Sequence, residues 1–224
     1  MNIVPQRYID LLPQHAAALF DRQRRFMYSG QVPYTRGDSP IHGYGHYERV
    51  LYHALRTGAA ELGDDSPDLE ALGQAAVWHD SRRLDDNLDT GHGARAAVAY
   101  EKYCREHPEY PWHREVPYLM RYHDLDDAVG REAIKKDFGK DAPKVLKLYA
   151  IFKDADALDR PRLGSRGLDP RFLRTPAAKE SVELATDLVR DTVDPEILSE
   201  TEKEVNRSLD IHGNPFKPPT PHGD

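Results

Sequence analysis

Apolar residues recur along this chain at helical intervals, three and four apart, and hardly anywhere in the alternating order of a strand. Residues 13–28 set Ala17, Leu19, Phe20 and Phe26 among charges, and residues 46–61 carry Val50, Leu51, Ala54, Leu55 and Ala59 near the i, i+3, i+4 pattern. Residues 67–79 run from Pro67-Asp68 into Leu69, Leu72, Ala75 and Ala76, with Ser66 or Asp68 placed to cap the start. The same periodicity predicts helices over 91–106, 113–123, 130–137 and 142–158, then a long C-terminal pair. Pro195 divides that pair, because proline fits the first turn of a helix and not its interior. No strand-like alternation and no internal repeat stand out. The expected fold class is all-α, a helical bundle.

Between these segments, two irregular stretches frame the polar chemistry. Residues 29–45 hold Gly30, Pro33, Gly37, Pro40 and Gly43, so the chain reaches His46 out of a loop. Residues 81–90 are densely charged and follow His79-Asp80 directly. The last twelve residues, 213–224, are proline-rich without an apolar pattern and read as a flexible tail. The remainder, 1–212, has the length of one domain.

Composition narrows the classes. With 39% hydrophobic residues in 224 and a mean hydropathy of −0.74, the apolar side chains must be concentrated on inward faces. Thirty-one basic against 38 acidic residues leave a net charge of −7, which disfavours general nucleic-acid binding or an anionic membrane surface. The first residues lack the apolar core of a signal peptide, and no run approaches the ~20 apolar residues of a membrane span. A lone Cys104 rules out an internal disulfide and reads as structural. The expectation is a cytoplasmic protein, with its oligomeric state open.

The chemistry gathers around His79-Asp80, which closes the apolar run Ala75-Ala76-Val77-Trp78. Upstream stands His46, and downstream come His92, His123 and Asp154 in Lys153-Asp154-Ala155-Asp156. Neutral imidazoles and carboxylates are the side chains that bind divalent transition metals. A single helical histidine is usually structural; an ordered set on or beside successive helices points to one site. His42 reads as pocket-lining, whereas His53, His107, His113, His212 and His222 read as surface residues. Gly91 and Gly93 flank His92, and such small residues let a helix pack close to a site.

One histidine, then His-Asp, then a distant aspartate, in this order and local context, resembles the HD-domain metallohydrolase superfamily. The likeness covers about residues 40–165. It implies a helical bundle with a metal site in its core, and carries the primary ligand roles to His46, His79, Asp80 and Asp154. Asp80 would bridge two ions or orient a water. His92 and His123 fall where two-metal members, such as diadenosine tetraphosphate hydrolases and cyclic-di-GMP phosphodiesterases, supply further histidines. The cofactor implied is one or two divalent ions among Mn, Fe, Co, Ni and Mg. Asp156 and Asp159 compete with Asp154. The first aspartate is the one that matches the motif, and Asp156 lies about 200° around the helix from it, so both cannot face one metal. Asp159 reads more simply as an ion-pair partner of Arg160 or Arg162.

The resemblance implies a phosphohydrolase acting on a small phosphorylated, nucleotide-like substrate through metal-activated water. Arg83 stands four residues after His79, where many members carry a lysine, and is assigned to substrate phosphate beside Asp80. His42, Arg95 and Lys153 are further candidates for substrate binding. Two alternatives share the ligand types: a di-iron oxygenase of the same superfamily cleaving a C–P or C–C bond, and a metal-binding regulatory module without catalysis.

Overall fold

Among the described helices the longest sits at the centre of the bundle. In the computed structural model, which describes residues 3–208, the central helix is α3, Tyr44–Leu62. It is apolar enough on several faces that Val50, Leu51, Ala54 and Leu55 are wholly buried, and so are the polar His46, Glu48, Arg49 and His53. A helix buried on most of its faces belongs inside a bundle, and α3 is sheathed accordingly. Before it come α1 (Gln6–Ile9) and α2 (Gln14–Met27), and after it α4 (Asp68–Trp78). Then follow α5 (His92–Glu106), α6 (Val116–Arg121), α7 (Asp127–Phe138), α8 (Ala142–Leu158), α9 (Pro176–Glu180), α10 (Val182–Thr192) and α11 (Pro195–Ser208). Helices α2, α4 and α8 pack on α3, α5 packs on α6, and α7 on α8.

Among the described residues the regular structure is entirely helical, so the all-α bundle is what the periodicity predicts. Boundaries agree within about three residues over most helices, the usual fraying distance. Two short elements, α1 and α9, and three 3-10 turns have no counterpart in the apolar pattern, because a four- or five-residue helix has too few turns to show a period. The start of α4 is capped differently from expectation: Pro67 is the N-cap residue, and the Ser66 hydroxyl accepts a long 3.4 Å bond from Asp68 N–H. The expected flexible tail, 213–224 with His222, lies outside the described residues, and so does His212. No described helix is long and apolar enough to cross a membrane.

The two polar loops meet one another. Asp86 of the second receives Arg36 Nη2 and Ser39 Oγ of the first, both at 2.6 Å, and Thr35 N–H bonds the Ser81 carbonyl at 3.0 Å. This seam closes over the end of the bundle where α3 and α5 begin and α4 ends.

His53 departs from its surface assignment. It sits on α3 with no exposed area, and neither ring nitrogen meets a protein partner among the described residues. Burial pulls its pKa down to about 4. Between roughly pH 6.5 and 4, therefore, the unfolded chain takes up a proton that the folded chain refuses, and stability falls as pH drops through that window. The loss from this group is on the order of 3 kcal/mol. Denaturant titrations at about pH 7.5, 5.5 and 4.5 should show this slope in the wild type and a flatter one in His53→Leu, which also relieves two unpaired buried nitrogens.

Candidate metal centre

Five helices deliver the cluster. His46 lies in the first turn of α3, reached from Gly43; His79 is the residue that caps α4, and Asp80 follows it. His92 opens α5 immediately after Gly91, whose φ of +90° is open to glycine at little cost. His123 comes two residues beyond the end of α6, and Asp156 sits in the last turn of α8. Gly93 lets α5 close on α6: a Cβ there would overlap the Met120 carbonyl and stand 2.7 Å from His123 Nδ1. The small residues around His92 thus permit the close packing that the sequence suggests.

The hydrogen bonds fix which nitrogen of each ring is free. His79 Nδ1 lies 2.8 Å from the Ala76 carbonyl, His92 Nδ1 2.6 Å from that of Asp89, and His123 Nδ1 2.7 Å from that of Met120. A carbonyl only accepts, so each Nδ1 carries the proton. His46 Nδ1 meets Asp159 Oδ2 at 2.8 Å, with that carboxylate held ionised against its burial chiefly by the Arg49 guanidinium. In the neutral rings every Nε2 is then a lone pair.

Those lone pairs converge. His46 and His79 Nε2 are 3.1 Å apart, and His92 and His123 Nε2 are 2.9 Å apart. Asp80 lies between the pairs, Oδ2 at 3.5 Å from His46 Nε2 and Oδ1 at 2.8 Å from His92 and 3.4 Å from His123. Asp80 Oδ1 is buried and finds no hydrogen-bond partner among the described residues. Asp156 Oδ1 stands 3.5 Å from His46 Nε2. His46, His79 and Asp156 form one group able to hold a metal ion, and His79, Asp80 and His123 another.

Acceptors this close repel unless a positive charge sits among them. A proton on one ring of each pair would serve, but burial pulls His79 down to about 3. Burial works against His123 as well, and there the adjoining Asp80 outweighs it and raises the pKa. Burial works to neutralise the two carboxylates, and positive charge on the surrounding imidazoles lowers the pKa of Asp80 and Asp156, so the cluster favours carboxylates with a cation among them. A divalent ion meets the demand directly. Metal–nitrogen bonds of about 2.1 Å set at right angles place neighbouring donors about 3.0 Å apart, close to the spacings within the two histidine pairs. The partners on each Nδ1 are those that orient metal-ligating histidines.

The structure corrects the distant ligand. Asp154, expected at the metal, faces away: it accepts Thr175 N–H at 2.7 Å, Thr175 Oγ1 at 2.8 Å, and Arg174 N–H and Nη1 at 3.0 Å. It thereby fixes Thr175, the N-cap of α9. The two aspartates do oppose each other around α8, but Asp156 is the one at the cluster. The i, i+3 spacing of Asp156 and Asp159 is a signal that favours this choice, since it puts both on the face that meets His46. Asp159 in turn binds Arg49, Nε at 2.5 Å and Nη2 at 3.1 Å, with Arg162 Nη1 farther off at 3.5 Å. Asp156→Asn should therefore weaken metal binding by about 10- to 100-fold with little change in stability, whereas Asp154→Asn should lower stability by about 2 kcal/mol and leave metal affinity intact. Metal titration followed by thermal melting of both variants separates the two roles.

Of the predicted substrate residues, two adjoin the cluster. Arg83 is buried, with Nη1 3.7 Å from Asp80 Oδ2 and 3.3 Å from His92 Nδ1, and is steadied by the carbonyls of Asp85 and Asn87. His42 packs its ring 5.9 Å from that of His46 and lies 3.3 Å from Asp86 Oδ1; burial, then Arg162, drives its pKa down to about 3. The other two are tied elsewhere. Arg95 bonds Asp89 Oδ2 and the Arg82 carbonyl, and Lys153 bonds Asp127 Oδ1 and the Leu125 carbonyl. Asp124, beside His123 and without a motif of its own in the sequence, accepts Gly91 N–H at 2.5 Å, and its buried Oδ1 finds no hydrogen-bond partner among the described residues. Asp156 has 26% of its side chain exposed against 6% or less for the four histidines and Asp80, so solvent reaches the cluster from its side. Comparison of the chain with family models, with curated proteins and with solved structures finds no match.

Proposed function

We propose that the protein is a metal-dependent hydrolase of the HD-domain kind, acting on a small phosphorylated, nucleotide-like substrate. The observation that carries this reading is the convergence of four imidazole lone pairs, each oriented through its other nitrogen, on the Asp80 carboxylate. His46, His79, Asp80 and Asp156 would hold one ion; Asp80, His92 and His123 would hold a second, with Asp80 bridging. Bound there, such ions lower the pKa of a coordinated water toward ~7 and polarise a phosphoryl oxygen.

The chain's own residues supply the rest. Asp156, at the exposed edge, sits where substrate and water enter. Arg83 offers a guanidinium pinned by backbone carbonyls, a donor fork matched to phosphate oxygens. His42, kept neutral by its surroundings, can donate or accept one hydrogen bond without adding charge. The acidic surface as a whole favours a small ligand drawn into this local cationic spot over a polymer laid across it.

Phosphate release from mononucleotides, dinucleoside polyphosphates and cyclic nucleotides, each with Mn²⁺, Fe²⁺, Co²⁺ or Ni²⁺, tests the reading. Arg83→Ala should lower kcat/KM by about 10- to 100-fold while metal content stays at the wild-type level, about 1.4–2.7 kcal/mol of lost transition-state binding. The nitrogen-rich donor set bridged by one carboxylate also suits iron. If no phosphate ester is cleaved while the reduced iron-loaded protein consumes O₂ with an organic substrate, a di-iron oxygenase replaces the hydrolase.

A further inference from the structure

Along α5, a groove of about 860 Å³ runs between the helix, Trp78 at the end of α4, and Pro33 of the first loop. That volume is within the range of small-molecule sites. Its floor is apolar and aromatic. Val98 is 57% exposed, and the Tyr103 ring tilts against Trp78 at 5.2 Å between centroids. Its rim carries Arg82, Arg95 and Lys102, with Glu106 as the sole carboxylate among the lining residues.

In a chain whose net charge is −7 the groove gathers three cations: Asp89 pairs with Arg95 and Glu106 stands near Lys102, while Arg82 meets no carboxylate within 4 Å among the described residues. Neither guanidinium is used up where it stands. Arg82 gives Nη1 to the Pro33 carbonyl, and Arg95 gives Nε to the Arg82 carbonyl and Nη2 to Asp89. A guanidinium has five N–H donors, so each keeps others for a ligand. Lys102 meets Glu106 only at 3.6 Å and is 68% exposed. An apolar slot alone would suit any greasy surface; the cationic rim selects what enters.

We propose that this groove is a binding site for a small organic anion with a flat apolar body. The body lies along Val98 and Tyr103, and the acid group takes hydrogen bonds from Arg82, Arg95 and Lys102. The site is separate from the metal cluster, and its existence does not depend on the hydrolase reading.

The anionic dye 8-anilinonaphthalene-1-sulfonate has this chemistry and serves as the probe, titrated into the native full chain by fluorescence. The neutral N-phenyl-1-naphthylamine tests the rim. Saturable one-to-one binding of the sulfonate is expected, with at least about tenfold weaker binding of the neutral analogue, the worth of one charge-assisted contact. Val98→Glu, on an exposed site, should weaken the sulfonate at least about tenfold, and Lys102→Glu by a similar factor, both with unchanged circular dichroism and Tm. Equal binding of the two dyes, or wild-type affinity in both variants, overturns the proposal. So does a wild-type dimer that excludes the dye and that Val98→Glu converts to monomer, since a second copy would then be the occupant.

Discussion

Replacing Asp80 by alanine should abolish the gain in stability expected from added metal. A ligand present at 1,000 times its Kd stabilises the state it binds by about 4 kcal/mol, equivalent to a rise in Tm of roughly 8–16 °C for a domain of this size. The wild type should show a rise of this order with Mn²⁺, Co²⁺ or Ni²⁺. Asp80→Ala should show under about 1 kcal/mol, because one substitution removes the carboxylate that lies between both histidine pairs. Calorimetric melts with and without metal, beside elemental analysis of the purified variant, measure this. Full metal content in Asp80→Ala would end the assignment of Asp80 as a bridging ligand.

Gly93→Ala is the second large effect, and it replaces no proposed ligand, although its methyl would crowd the His123 ring. The new methyl overlaps the Met120 carbonyl, which is also the acceptor for His123 Nδ1. Backbone cannot yield as a side-chain tip can, so α5 must move off α6. Overpacking of this kind costs about 1–3 kcal/mol, and the loss of a buried hydrogen bond adds to it. The expected drop in Tm is roughly 5–15 °C, accompanied by loss of the ion that His92 and His123 are proposed to hold. Melting and metal stoichiometry check both halves. A variant with wild-type stability would show that the two helices are not in the contact described.

How much of this was legible beforehand follows from the length over which each signal accumulates. Helices α2, α3, α4, α5 and α8 span eleven to nineteen residues, enough turns for the apolar period to show. The four-residue α1 and the five-residue α9 leave no such trace. His46, His79, Asp80, His92 and His123 were legible because an ordered set of one chemical type is visible without coordinates. Asp154 and Asp156 were not separable by type, and only their partners decide between them: Thr175 and Arg174 lie twenty residues on, beyond any local pattern. His53 misled for a similar reason. Its burial comes from helices packed around α3, and polarity alone argued for the surface.

Three of the four histidines bond the carbonyl three residues before them: His79 to Ala76, His92 to Asp89 and His123 to Met120. Each imidazole is thus aimed by its own stretch of backbone, independently of the other helices. What remains adjustable is how far apart the helices stand, and that distance sets the hole left between donor atoms. For an ion held there as proposed, ionic radius would be selected by helix packing rather than by ring rotation. Cavity-making or cavity-filling changes between α5 and α6 should shift preference between smaller and larger divalent ions while every ring keeps its angle.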